Sequence, residues 1–165
     1  NPDNINSALG IDASIDITTT DPVAKLEEGG SYAYLYEKGN QLTVIAFSLQ
    51  NAINAYGSST ESTEDYFKAI AEELEAAYSA NPGPIDIETE TFINSVVDNL
   101  IAAKASAIGS ERSTNIKSAL YAVLPIIEVK SSTATTTAIQ NFAFTTLQTD
   151  IKAMATGAVS TGACA

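Results

Sequence analysis

The run SYAYLYEKGNQLTVIAFSLQNAINAY, residues 31–56, decides the fold class. Tyr32, Leu35, Tyr36, Leu42, Ile45, Leu49, Ile53 and Tyr56 recur in steps of mostly three, four or seven, which is the spacing of one face of an α-helix. Val44 and Phe47 widen the apolar surface around Ile45 and place the middle of this helix at the centre of the molecule. Gly39 is an interior weak point, at about 1 kcal/mol relative to alanine, and Gly57 ends the helix.

Upstream, Asp21-Pro22 reads as a helix start, with Asp21 as N-cap and Pro22 in the first turn. Val23 and Leu26 mark its expected buried side, and Gly29-Gly30 stop it. Residues 1–21 are expected to be irregular; the Thr-rich patches at 18–20 and 133–137 lack a strand partner of comparable strength. Downstream, Ser62 with Asp65 resembles a capping box and opens a helix to about Ala80, with Tyr66, Phe67, Ile70, Leu74, Ala77 and Tyr78 as its stripe. Asn81-Pro82-Gly83-Pro84 is a break. A fourth helix, capped near Thr89, carries Phe92, Ile93, Val96, Val97, Leu100, Ile101 and Ile108.

Gly109-Ser110 leads to a fifth helix with Ile116, Leu120, Val123, Leu124 and Ile127, and Pro125 predicts a kink or split near residues 121–124. A sixth helix spans about Thr137 to Ala155, with Ile139, Phe142, Ala143, Leu147, Ile151 and Met154 on one face. The chain therefore reads as all-α: a bundle of about five long helices plus one or two short N-terminal helices. It is expected to form a single helical domain over residues 1–165, with an irregular segment at 1–21 and a frayed tail at 156–165.

Composition narrows the chemistry. The chain has 165 residues, of which 45% are hydrophobic, enough for a core without staples. The net charge is −12, so nucleic acid and anionic membrane are poor partners. Residues 1–98 carry 17 acidic and 3 basic residues, and residues 99–165 carry 3 acidic and 5 basic. That division fits either a more buried C-terminal part or an acidic face backed by a surface that packs on something else. There is no histidine and a single cysteine, Cys164. Histidine triads, zinc sites of the Cys/His type and cysteine–histidine proteases are excluded, as is an internal disulfide. Cys164 remains a candidate for an intermolecular disulfide. No apolar run reaches the length of a membrane span. No secretory leader is visible, and any leader is expected to have been removed.

Few residues suggest a site. Asp86, Glu88 and Glu90 alternate before the fourth helix and could surround a calcium ion, although the glycine of a calcium loop is missing. Helix capping is the competing reading. Glu61, Glu64, Asp65, Glu72, Glu73 and Glu75 form the densest acidic stretch and read as a solvated helix face. Tyr32, Tyr36, Phe47, Tyr66 and Phe67 could line an aromatic pocket for an apolar ligand or pigment, or could fill the core. No catalytic residue and no cofactor is expected. A carboxylate-based hydrolase or lyase would need two acidic residues in one buried cleft.

The segment Ser7-Ala8-Leu9-Gly10-Ile11-Asp12, followed by Ile15-Asp16-Ile17-Thr18-Thr19-Thr20-Asp21-Pro22-Val23-Ala24, resembles the opening of alanine-rich helical domains in very large bacterial extracellular proteins of the adhesin-like type. The match is centred on residues 7–29, and Ile85-Asp86-Ile87 is similar to the same pattern. The resemblance implies a secreted or cell-surface bacterial setting and no catalytic residues. The expected function is a non-enzymatic structural or interaction domain: an adhesin, matrix or assembly module with a protein partner or self-association through residues 110–155. The alternative is a carrier holding a small apolar ligand or pigment between helices.

Overall fold

The computed structural model describes residues 2–56, 62–104, 108–133 and 136–155. Helix α1 spans Pro2–Leu9, α2 Gly30–Tyr56, α3 Thr63–Ala80, α4 Glu90–Lys104, α5 Ser110–Thr133, α6 Thr136–Asn141 and α7 Leu147–Ala155. A 3-10 turn at Leu26–Glu28 precedes α2, and a π-helical turn at Phe142–Thr146 joins α6 to α7. No strand occurs among the described residues. The chain is an all-α bundle.

The architecture follows from α2. Val44, Ile45, Ala46, Ser48, Leu49, Ala52 and Ile53 are almost wholly buried along its middle, so it has no clean solvent stripe there. A helix that is apolar on most sides needs a neighbour on each of them. Helices α3, α5 and α7 supply those neighbours, α4 closes against α5 and α3, and α1 lies against α3. The core joins Ile45, Leu49 and Ile53 to Tyr66, Ile70 and Leu74 of α3, Ile93, Val96 and Val97 of α4, and Ile116, Leu120, Leu124 and Ile127 of α5. Each such side chain contributes roughly 1.5–3 kcal/mol on burial.

The N-terminal segment differs from its expected irregular course. Residues 2–9 form α1, which buries Ala8 and Leu9. Gly10 then takes φ +68°, a conformation that favours glycine, beside the Pro84 ring. The amide of Ile85 donates to the Ala8 carbonyl at 2.7 Å, which ties this turn to the 81–87 loop. Asp21 caps as expected, its Oδ1 accepting the amides of Val23 and Ala24. The α-helix expected after it does not form. Gly29, at φ +66°, closes the segment after one 3-10 turn, and so short a piece does not nucleate an α-helix. Val23, expected to be buried, is exposed.

Two further differences lie downstream. Helix α5 is unbroken through Pro125, whose ring sits on the exposed side, so the expected split is absent. The sixth helix is interrupted. The buried side chains Ile139 and Leu147 flank the half-buried Phe142, and a five-residue step from Phe142 to Leu147 does not fit an α-helical turn. The Leu147 amide instead donates to the Phe142 carbonyl, the i+5 bond of a π turn, which returns Leu147 to the core side. At α3 the capping box forms with an aspartate in place of glutamate: the Ser62 amide and hydroxyl donate to Asp65 Oδ2 at 2.9 and 2.8 Å. Thr89 Oγ1 accepts the Phe92 amide and caps α4 as expected. The tail at 156–165, with Cys164, lies outside the described residues.

Gly39 is exposed, keeps a negative φ, and has no atom within 4 Å of where a Cβ would stand. Gly39→Ala is expected to stabilise the fold by about 0.5–1 kcal/mol in urea unfolding followed by circular dichroism. Leu49→Ala, in the core, is expected to cost about 2–5 kcal/mol in the same measurement.

Candidate functional site

Polar side chains enter this interior in clusters, and three of them join α2 to another element. The first lies at the N-terminal half of α2. Gln41 is fully buried; its Nε2 donates to Glu88 Oε1 at 2.6 Å and to the Leu124 carbonyl of α5 at 3.3 Å. Its Oε1 accepts from Lys38 Nζ at 2.9 Å. Lys38 Nζ also lies 3.4 Å from Glu88 Oε1 and 3.5 Å from Glu37 Oε1. The cluster therefore spans α2, the turn before α4, and α5. Burial pushes the Glu37 carboxyl above its usual range, and the Lys38 ammonium opposes that rise.

A second cluster joins α2 to α7. Asn51 Nδ2 donates to Gln148 Oε1 at 2.9 Å, and Gln148 Nε2 donates to Ser48 Oγ at 3.4 Å. A third joins α2 to α3, with Thr63 Oγ1 donating to Gln50 Oε1 at 2.8 Å and Tyr66 OH to Asn54 Oδ1 at 3.4 Å. Across the α3–α4 seam, Ser95 Oγ and Asn99 Nδ2 donate to the two oxygens of Glu73 at 2.8 and 2.6 Å. Tyr121 OH donates to Asn94 Oδ1 between α5 and α4. Among the described residues, the buried atoms Asn6 Oδ1, Tyr36 OH and Asn40 Nδ2 have no hydrogen-bond partner.

The calcium candidates are not assembled into one site. Asp86 Oδ1 accepts the Glu88 amide at 2.9 Å, Glu88 turns inward to Gln41, and Glu90 stays exposed in the first turn of α4. No group of three potential ligands that could hold a metal ion occurs among the described residues. The aromatic candidates are also separated. Tyr66 is fully buried in the core, while Phe67, one position on, is 37% exposed. Tyr32 and Phe47 are half-buried and lie about 22 Å apart along α2. Tyr36 is buried.

None of the five aromatic candidates lines the following three cavities among the described residues. Cavities of about 360 and 270 Å³ open along the α3–α4 seam on either side of Glu73, and a shallow one of about 510 Å³ lies beside Gly10, Asp12 and Tyr34. Sequence reasoning passed over Lys38 and Gln41. Their signal was present as two long polar residues, one helical turn apart, between the apolar positions Leu35, Tyr36 and Leu42.

Charge and exposure separate in the C-terminal part. Both 39–60 and 131–149 are free of charged residues. The first supplies buried core positions of α2. The second exposes Thr137, Ala138, Gln140, Asn141, Thr145 and Thr149. Burial therefore does not account for the missing charge over 136–149. On α3, by contrast, Glu64, Asp65 and Glu72 are exposed. No helix among the described residues is long and apolar enough to cross a membrane.

With this geometry described, comparison with family models, curated proteins and solved structures finds no match to the chain.

Glu88→Ala is expected to cost about 1–3 kcal/mol in thermal or urea unfolding, because it removes the 2.6 Å acceptor of a fully buried amide. Glu88→Gln, which keeps an acceptor oxygen, is expected to cost less. The acid limb of stability has a separate origin. The Ser14 amide and then its hydroxyl lower the Asp12 carboxyl. The Thr18 hydroxyl and then its amide lower Asp16, and the Ser62 hydroxyl and then its amide lower Asp65. Lowered carboxyls stabilise the fold above the unfolded pKa, near ~4, and lose that contribution as pH falls through their folded values. Glu37 acts in the opposite sense, and its contribution is lost as pH rises through its raised value. The triple variant Asp12→Asn, Asp16→Asn, Asp65→Asn is expected to flatten the melting temperature below about pH 4, measured by circular dichroism across a pH series.

Proposed function

We propose that the chain is a non-enzymatic structural or interaction module of a secreted or surface-displayed bacterial protein. The observation that carries this reading is the use of its interior polar groups. Gln41, Glu88, Gln148 and Asn51 each bind one element of the bundle to another. Such pins favour one register of the helices over its neighbours, because a displaced helix would leave buried donors and acceptors unpaired. A body of this kind serves to hold a shape and present surfaces.

The two kinds of exterior support the same reading. One face, on α3, is acidic; the other exposes Thr137, Ala138, Gln140, Asn141, Thr145 and Thr149, none of them charged. Interface cores are depleted in charge, which suits the second face to contact with another protein. The similarity of residues 7–29 to the opening of helical domains in large adhesin-like proteins supplies the setting. The acidic surface is of a kind that remains soluble outside the cell.

The test is location. Protease shaving and surface labelling of intact producing cells are expected to cleave and label the chain. Recovery from the cytosolic fraction alone, untouched by either reagent, would overturn the reading.

A further inference from the structure

We infer that the smaller cavity of the α3–α4 seam is a binding site for a linear aliphatic diamine. The site makes no use of the surface setting, and its fate does not depend on where the protein resides.

The cavity, of about 270 Å³, has apolar walls from Ala76, Ala77, Ile85 and Phe92 and a carboxylate toward each end. Glu73 marks one end, where the Ser95 hydroxyl donates to its Oε2 at 2.8 Å. Asp86 marks the other, beside Thr89, whose hydroxyl donates to the Asp86 carbonyl at 2.9 Å. Thr89 and Ser95 lie at the start of α4, and the helical rise between them separates the two ends by about 9 Å. Carboxylates placed in this way are spread along a groove rather than gathered on one ion. No group of three potential metal ligands occurs among the described residues. The spacing suits a chain of about four or five methylenes with an ammonium at each end.

Charge selects the occupant. Both oxygens of Glu73 accept hydrogen bonds, but only from the neutral Ser95 and Asn99. Asp86 Oδ1 accepts the Glu88 amide. Neither carboxylate has an ion-pair partner among the described residues. No cation lines this cavity; Lys68 and Lys104 line the larger one, on the other side of Glu73. The N-terminus of α4, which would favour an anion, is already answered by Thr89, which accepts the Phe92 amide, and by Glu90 in the first turn. An anionic ligand is therefore repelled, and a wholly apolar one leaves both negative ends unmatched. A monoamine matches one end. A diamine matches both, and its methylenes cover the apolar walls between them. Water reaches both carboxylates, so the binding is weak and falls with salt.

Titration of the full chain with putrescine at about 20 mM salt, followed by amide NMR, is expected to saturate with a Kd on the order of 1 mM. The shifts are expected to concentrate at Ala76, Ala77, Ile85 and Phe92. Butylamine, with one ammonium, is expected to bind about fivefold or more weakly, and butanediol not at all. Glu73→Gln and Asp86→Asn each keep an acceptor oxygen for the hydrogen bonds described, and each is expected to weaken putrescine about threefold or more. Glu72→Gln removes the same charge beside the cavity and is expected to stay within about twofold. Ala76→Leu narrows the groove from an exposed position without changing charge and is expected to weaken binding about fivefold or more. Circular dichroism of each variant confirms retained helix. Shifts spread over the exposed carboxylates of α3, with Glu72→Gln costing as much as Glu73→Gln, would reveal a diffuse counterion layer only and overturn the inference. So would shifts that never saturate, equal binding of butylamine and putrescine, or a folded Ala76→Leu variant that binds as the parent does.

Discussion

A helix of 27 residues that is covered on most of its sides carries polar groups into the interior, and α2 pairs most of them, with Tyr36 OH and Asn40 Nδ2 the exceptions among the described residues. An unpaired buried donor or acceptor costs about 1–3 kcal/mol, a large share of a domain's net stability. The solution here is distributed. Lys38 and Gln41 are paired toward α5 and the turn before α4, Ser48 and Asn51 toward α7, and Gln50 and Asn54 toward α3. The pins toward α5 and the turn before α4 lie at residues 38–41 of α2, and those toward α7 and α3 lie on different sides of it over residues 48–54. Apolar packing alone would allow a helix to slip by a turn at modest cost. The pins add a penalty for slipping that differs for each pair of helices, and together they define one arrangement.

The helices themselves were legible because they are long and strongly periodic. Stripes such as Ile116, Leu120, Val123, Leu124 and Ile127 leave little choice of conformation or face. The errors fall where local and tertiary demands compete. Asp21-Pro22 is a sound start signal, but a start is not a helix, and Gly29 arrives before a second turn can form. Pro125 does not split α5 because it lies on the exposed side, while Leu124 and Ile127 remain buried on the other. The π turn was hidden because a pattern search assumes a constant period. The five-residue step from Phe142 to Leu147 is visible only when the two residues are required to share a face.

The candidate site was less legible, and Glu88 shows why. In sequence it belongs with Asp86 and Glu90, and their i, i+2, i+4 spacing suggests a common ligand. In the fold that spacing occurs in a turn, where Asp86 accepts the Glu88 amide and the following side chain points to a different element. Gln41 lies 47 residues away in sequence yet meets it at 2.6 Å. Composition and periodicity carry no information about such a pair. The aromatic residues left a pocket and core filling open because residue type does not say which side of a helix is covered: of the adjacent pair, Tyr66 is buried in the core and Phe67 is exposed.

The residues that carry the resemblance at 7–29 have a physical role that periodicity does not express. Gly10 turns the chain at positive φ against Pro84. Asp12, Asp16 and Asp21 each accept an amide two residues on, and Asp86 does the same in the loop that α1 touches through Ala8 and Ile85. Between these turns, Ile11, Ile15 and Ile87 reach the core. A backbone without regular structure is thereby fixed by short carboxylate turns alternating with single apolar anchors. A sequence constrained to keep that path must hold its glycine, its aspartates and its isoleucines at set intervals while leaving the intervening residues free. In the helices beyond, by contrast, any apolar side chain of suitable volume will pack.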